Sequence, residues 1–223
     1  MPPVLPTYIS FIFGLTTVIS IVWFAAAAKS RTFILLLVCW TVLQSILGLK
    51  GIFLDTEALP PRMMLLGVLP ALVAIVITFL STKGKTFIDG INLKTLTYFN
   101  TIRIPVEIVL LLLYQNKLVP INITFEGTNF DLFSGVTASL VAYLAFRTPT
   151  TNKKLLLGWN IICLVLLLNV VITAILAIPS PFQKIALDQP NIGVLYFPFN
   201  LLPAVVVPLV LFGHLVSIRQ LTK

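Results

Sequence analysis

Apolar residues run along this chain in long stretches, and the charged and turn-forming residues fall between them in short clusters. Hydrocarbon offers no partner for backbone N–H and C=O groups, so a stretch that crosses a bilayer as a single segment is helical. A core of about 30 Å takes roughly 20 such residues. Seven stretches have that length, at about 6–28, 32–53, 63–82, 95–115, 129–147, 154–178 and 193–217. The pattern therefore predicts an all-α integral membrane protein of seven transmembrane helices, a single polytopic domain over residues 1–223. Its connections are too short for a soluble domain, which places the function among the helices or on their rims. The first stretch ends in four alanines, Ala25 to Ala28, like the small-residue site of a signal peptide. The preceding Met1-Pro2-Pro3-Val4-Leu5-Pro6 carries no positive charge, so an uncleaved first helix is expected.

Charge in the connections orients these helices. With seven crossings, one side carries Lys29, Arg31, Lys83, Lys85, Lys94, Arg147, Lys153, Lys154, Arg219 and Lys223. The other carries Lys50, Arg62, Lys117 and Lys184, with Asp55, Glu57, Glu126, Asp131 and Asp188. Basic residues concentrate on the cytoplasmic side, so the amino terminus is expected outside and the carboxyl terminus in the cytoplasm. The expected location is a plasma membrane, that of a bacterial inner membrane.

Composition then narrows the function classes. Only 10% of residues are charged and the mean hydropathy is +1.06, against about 25% charged in a soluble domain. The net charge of +8 is spread over loop clusters rather than gathered on a polar face, which argues against nucleic acid. Cys39 and Cys163 each sit inside an apolar stretch and build no disulfide framework. One histidine, His214, is too few for a zinc site made of converging histidines. No metal or cofactor is expected, and the partners are the lipid bilayer and a small-molecule or lipid ligand; an oligomer is compatible with the pattern.

Short echoes suggest duplication. Gly14-Leu15-Thr16 returns as Gly135-Val136-Thr137, and Leu35-Leu36-Leu37 with Trp40 as Leu155-Leu156-Leu157 with Trp159. Leu69-Pro70-Ala71 returns as Leu202-Pro203-Ala204. All three pairs run in the same direction through the membrane, which gives a 3+1+3 plan of parallel repeats joined by the fourth helix. In topology this plan resembles the SWEET sugar transporters, which share seven spans and an outside amino terminus. Their proline-glutamine pair inside the helices is absent, and Gln189-Pro190 is reversed and lies in a loop.

Ionisable groups at membrane depth mark pathways, relays or buried pairs. The fourth stretch carries Arg103 and Glu107, spaced i and i+4 on one helical face, where they can neutralise each other. Pro105 between them removes a backbone donor and is expected to kink the helix. The pair reads either as an ionic switch or as a structural clamp. Asn160, after Trp159, and Asn200, in Phe197-Pro198-Phe199-Asn200, are expected at a cavity, because Pro198, Pro203 and Pro208 interrupt the last stretch. His214 near a helix carboxyl end is accounted for by the helix dipole. On the outer rim Glu126, Asp131 and Asp188 are candidates for a ligand site or for acid–base chemistry, in loops whose Gly, Pro, Asn and Asp also serve turns.

Absences remove several seven-helix classes. The last stretch has no lysine to hold retinal, the chain lacks the three histidines of an intramembrane zinc hydrolase, and no phosphate-binding glycine loop precedes a helix. The first reading is a small-solute transporter or ligand-binding membrane protein with Arg103, Glu107, Asn160 and Asn200 at its site. The alternatives are a metal-free enzyme acting on lipid at the outer rim and an accessory subunit without chemistry of its own.

Overall fold

Two residues separate the first two helices, and each closes one of them. The computed structural model describes residues 5–223, with α1 over Thr7–Ala28 and α2 over Arg31–Leu49. Lys29 adopts a left-handed conformation (φ 49°) and donates its N–H to the Ala25 carbonyl, ending α1. The Ser30 hydroxyl accepts from the Phe33 N–H at 3.3 Å and caps α2. The first four residues of the Met1–Pro6 stretch lie outside the described residues.

Six further helices follow: α3 (Met63–Leu80), α4 (Thr82–Asp89), α5 (Leu93–Gln115), α6 (Leu132–Phe146), α7 (Lys153–Ala177) and α8 (Leu202–Leu221). Short helical turns and loops connect them, and no strand occurs among the described residues. Six helices, α1, α2, α3, α5, α7 and α8, are long and apolar enough to cross a membrane. Helix α6 is apolar but has only 15 residues, or about 22 Å of rise. The stretch expected at 129–147 is shortened because Asn129 and Asp131 are drawn into a buried turn before the helix begins. The stretch expected at 193–217 becomes continuous helix only at Leu202. Pro198 therefore lies before the helix, while Pro203 and Pro208 lie within it. The second stretch stops at Leu49 rather than 53, where Gly51 takes φ 67°.

Helices α5 and α8 form the centre. In each, 61% of the apolar window is buried, against 11% in α2 and α3, whose exposed faces are Leu-, Val- and Ile-rich. Helix α5 passes through a tighter turn at Asn100–Ile102, just before Pro105. On α1 the polar residues of the buried face bond back to their own helix: Thr16 to Ile12, Thr17 to Phe13 and Ser20 to Thr16. Each thereby satisfies its hydroxyl without needing water.

Proline shapes α3 and α8 in the same way. Each helix starts with a widened turn, Met63–Val68 and Leu202–Val206. Pro70 and Pro208 have no N–H for the carbonyls four residues earlier, Leu66 and Ala204. Both carbonyls are taken by α2: Gln44 Nε2 donates to Leu66 and Trp40 Nε1 to Ala204, each at 2.9 Å.

Midway along α8, Phe212 stacks with Phe24 and meets Phe79 edge-on, with ring centroids 5.8 and 6.0 Å apart. This aromatic cluster joins α1, α3 and α8. Beyond it the end of α8 is fastened to α4, where Arg219 pairs with Asp89 at 3.3 Å and Lys223 also pairs with Asp89. Gln220 Nε2 donates to the Ile88 carbonyl at 2.7 Å.

Candidate functional site

The centre of the protein holds a continuous chain of polar side chains. Its first part is built on α5, where Arg103 and Glu107 stand one turn apart, and on the segment leading into α6. That segment folds inward, so that Asn129 and Asp131 are buried. Asn129 Nδ2 reaches both carboxylate oxygens of Glu107 at 2.8 Å and the Ile123 carbonyl at 2.9 Å, while its Oδ1 accepts the Asp131 N–H at 2.8 Å. Asp131 Oδ1 pairs with Arg103 Nη1 and accepts from Ser134 at 3.4 Å. Close approach of α6 to α5 permits this. A Cβ on Gly135 would lie 3.0 Å from Ile104 Cγ1 and 3.1 Å from the Ile104 nitrogen.

The second part continues into α8 and α7. Arg103 Nη2 lies 2.8 Å from His214 Nε2, and His214 Nδ1 lies 2.8 Å from Asn160 Oδ1. Because arginine only donates, Nε2 must accept, which places the imidazole proton on Nδ1, where it donates to Asn160. The tautomer is thus fixed by geometry and the histidine is neutral. Asn160 is oriented in turn by its Nδ2 bond to the Leu156 carbonyl at 2.8 Å, and the Trp159 ring lies 5.9 Å from the imidazole. The chain therefore reads Glu107, Asn129, Asp131, Arg103, His214, Asn160, and every member is at most 5% exposed.

A cavity of about 100 Å³ adjoins the Glu107 end. Its walls are mainly apolar, with Met63 and Met64 of α3, Val106 and Leu110 of α5, residues of α7 from Leu167 to Ile175, and Ile178 just beyond it. Glu107, Asp131 and Asn191 supply its polar wall. The loop carrying Asn191 is held over the helices by several bonds. Asn191 N–H donates to Ala177 at 2.8 Å, Gly193 N–H to Leu118 at 2.7 Å, and Gln189 Nε2 to Val119 at 2.7 Å. The Asn191 amide donates to the Ala174 carbonyl at 3.2 Å, and its Oδ1 is buried with no partner.

Comparison with known protein families, characterised proteins and solved structures gives no match. The site is consequently read from its own geometry.

The residues singled out by the sequence fall in different places. Arg103 and Glu107 both belong to the chain, but Arg103 pairs with Asp131 rather than with Glu107. Asp131, expected on the outer rim, is buried because its carboxylate faces the guanidinium, whereas Glu126 and Asp188 are exposed. Asn160 joins through His214. Asn200 does not line the cavity; its Nδ2 donates to the Gln44 backbone carbonyl at 2.8 Å and it packs where Gly48 lacks a side chain. Sequence reasoning did not single out Asn129, Asn191 or His214 as site residues. The two asparagines are indistinguishable in sequence from loop amides that make turns, and nothing along the chain shows that His214 stands opposite Arg103.

Proposed function

We propose that the protein binds a small solute in the cavity beside Glu107, Asp131 and Asn191 and moves it across a membrane, with the buried polar chain as the coupled switch. The observation that carries this reading is the adjacency of an apolar cavity to a buried, hydrogen-bonded chain of polar side chains that includes Glu107, Asp131 and Arg103, an arrangement that costs folding energy and marks function at membrane depth. A change at Glu107 has a direct route to Asn129, Asp131 and Arg103 and from there to α8 and α7. The solute therefore acts on three helices through one set of bonds.

In this proposal α6 crosses as a seventh, short helix, with the amino terminus outside and the carboxyl terminus cytoplasmic. The membrane is a plasma membrane, taken to be a bacterial inner membrane. The charge asymmetry of the loops supports the orientation. The short sequence echoes between the two halves support the 3+1+3 plan.

Thermal unfolding of the purified protein against a panel of amines, sugars, amino acids and lipids tests the reading. A compound that binds the native state raises the midpoint with concentration, and the response should be strongly weakened in a folded Glu107→Gln variant. A ligand response fully retained in that variant would move the site away from the cavity and refute the proposal.

A further inference from the structure

The polar wall of the cavity is composed of acceptors. Glu107 and Asp131 contribute carboxylates and Asn191 contributes its unpartnered Oδ1, while the Asn191 amide donors turn to Ala174. No lysine or arginine is among the lining residues. A ligand that settles here has to bring donors, because a buried acceptor without one keeps its full desolvation cost.

Charge leads to the same class. The buried chain holds one cation, Arg103, and two carboxylates, Asp131 and Glu107; His214 is neutral by its hydrogen bonding. Arg103 pairs with Asp131, so Glu107 has no cationic partner of its own and, when ionised, carries an uncompensated charge. A proton on Glu107 would balance that charge yet leave the Asn191 acceptor unmatched. A primary ammonium group balances it and brings three N–H donors, one for each of the three acceptor groups.

The rest of the cavity sets what the ammonium is attached to. Its other walls are Met, Leu, Val, Ile, Ala and Pro side chains. A space of 150 Å³ accommodates the six carbons of benzene, so the present volume holds roughly four to five non-hydrogen atoms in all, the ammonium nitrogen included. We infer that the cavity takes a primary amine on a short apolar stem, its ammonium bonded by Glu107, Asp131 and Asn191. This inference rests on the binding reading above and narrows it to a ligand class.

The test is thermal unfolding of the full-length protein at neutral pH with n-butylamine, n-butanol, butyrate and tetramethylammonium in parallel. Butylamine alone should raise the midpoint saturably, and Glu107→Gln should weaken its apparent affinity by about tenfold or more, as expected for loss of a charged acceptor. Butanol or butyrate acting as well as butylamine would overturn the amine assignment while leaving a binding cavity in place. Tetramethylammonium acting equally well would show that charge suffices and would overturn the three-donor match. No saturable shift with any compound of the four, nor with any in the wider panel, would refute the cavity reading itself. Should Glu107→Gln fail to fold, the four-compound comparison on the wild-type chain still decides.

Discussion

Removing one of the two buried carboxylates should cost far more than removing the other, although both lie in the same chain. Asp131→Asn keeps the shape of the side chain but leaves Arg103, itself only 2% exposed, without a counter-charge. Breaking a buried pair from one side costs about 3–5 kcal/mol. For a chain of this size each kcal/mol corresponds to about 2–4 °C in midpoint, so the expected loss is roughly 6–20 °C. Glu107→Gln removes a carboxyl group that pairs with no cation, and the new amide oxygen still accepts from Asn129. Its cost is that of weakening one hydrogen bond, about 1 kcal/mol, or no more than about 4 °C. The assay is thermal unfolding in detergent, followed by tryptophan fluorescence, with the purified variants side by side. A further variant, Arg103→Met with Asp131→Leu, should recover part of the loss, since a buried pair replaced on both sides by apolar groups is often tolerated. Glu107→Gln falling as far as Asp131→Asn would refute the reasoning. It would mean that Arg103 is neutralised by Glu107, as their spacing along the helix suggests.

Three further outcomes are expected. Trp40→Phe leaves the Ala204 carbonyl without a donor and should cost about 1–3 kcal/mol; in a Pro208→Ala background, where the helix regains its own donor, the same change should cost much less, as a double-mutant cycle would register. Lys223, by its hydrogen bond, and Arg219 hold the Asp89 carboxyl below its ordinary value of 3.8. The clasp is therefore complete above that value and is lost as pH falls through the lower, folded one, so a spin label at Thr222 should gain mobility only in strong acid, and at any pH in Asp89→Asn. Reporter fusions after Asn122 and after Pro149 should report opposite sides of the membrane if α6 crosses, and the same side if it does not.

Much of the helical framework is legible in the sequence because a bilayer imposes length and hydropathy directly on it. The stretches at 6–28, 63–82 and 154–178 match α1, α3 and α7 closely, Pro70 only widening the first turn of α3. The reading fails where a segment has a second task. Asn129 and Asp131 shorten α6 because their side chains satisfy buried groups on α5, and Pro198 holds the approach to α8 out of the helix. The site was legible in part. Arg103 and Glu107 stand out as charges in an apolar run, yet spacing within one helix identified the wrong partner, because it says nothing of what the next helix presents. His214 and Arg103 are 111 residues apart, and only folding reveals that they meet. Proline gave a firmer signal: the carbonyls of Leu66 and Ala204 follow from the positions of Pro70 and Pro208, though their donors on α2 do not.

Those donors have a consequence for the order in which the protein is completed. Trp40 and its acceptor are 164 residues apart, and ribosomes add about 5–20 residues per second, so α2 waits roughly 10–30 s before the last helix exists. During that interval the indole N–H lacks its final acceptor, and α2 rests in the membrane held by few buried side chains. Arrival of α8 supplies the carbonyl for Trp40, the histidine for Arg103 and the tail for Asp89 in one event. Helix α8 is thus the bolt of the structure, and a chain released before α8 is made lacks both its peripheral fastening and the middle of its polar chain.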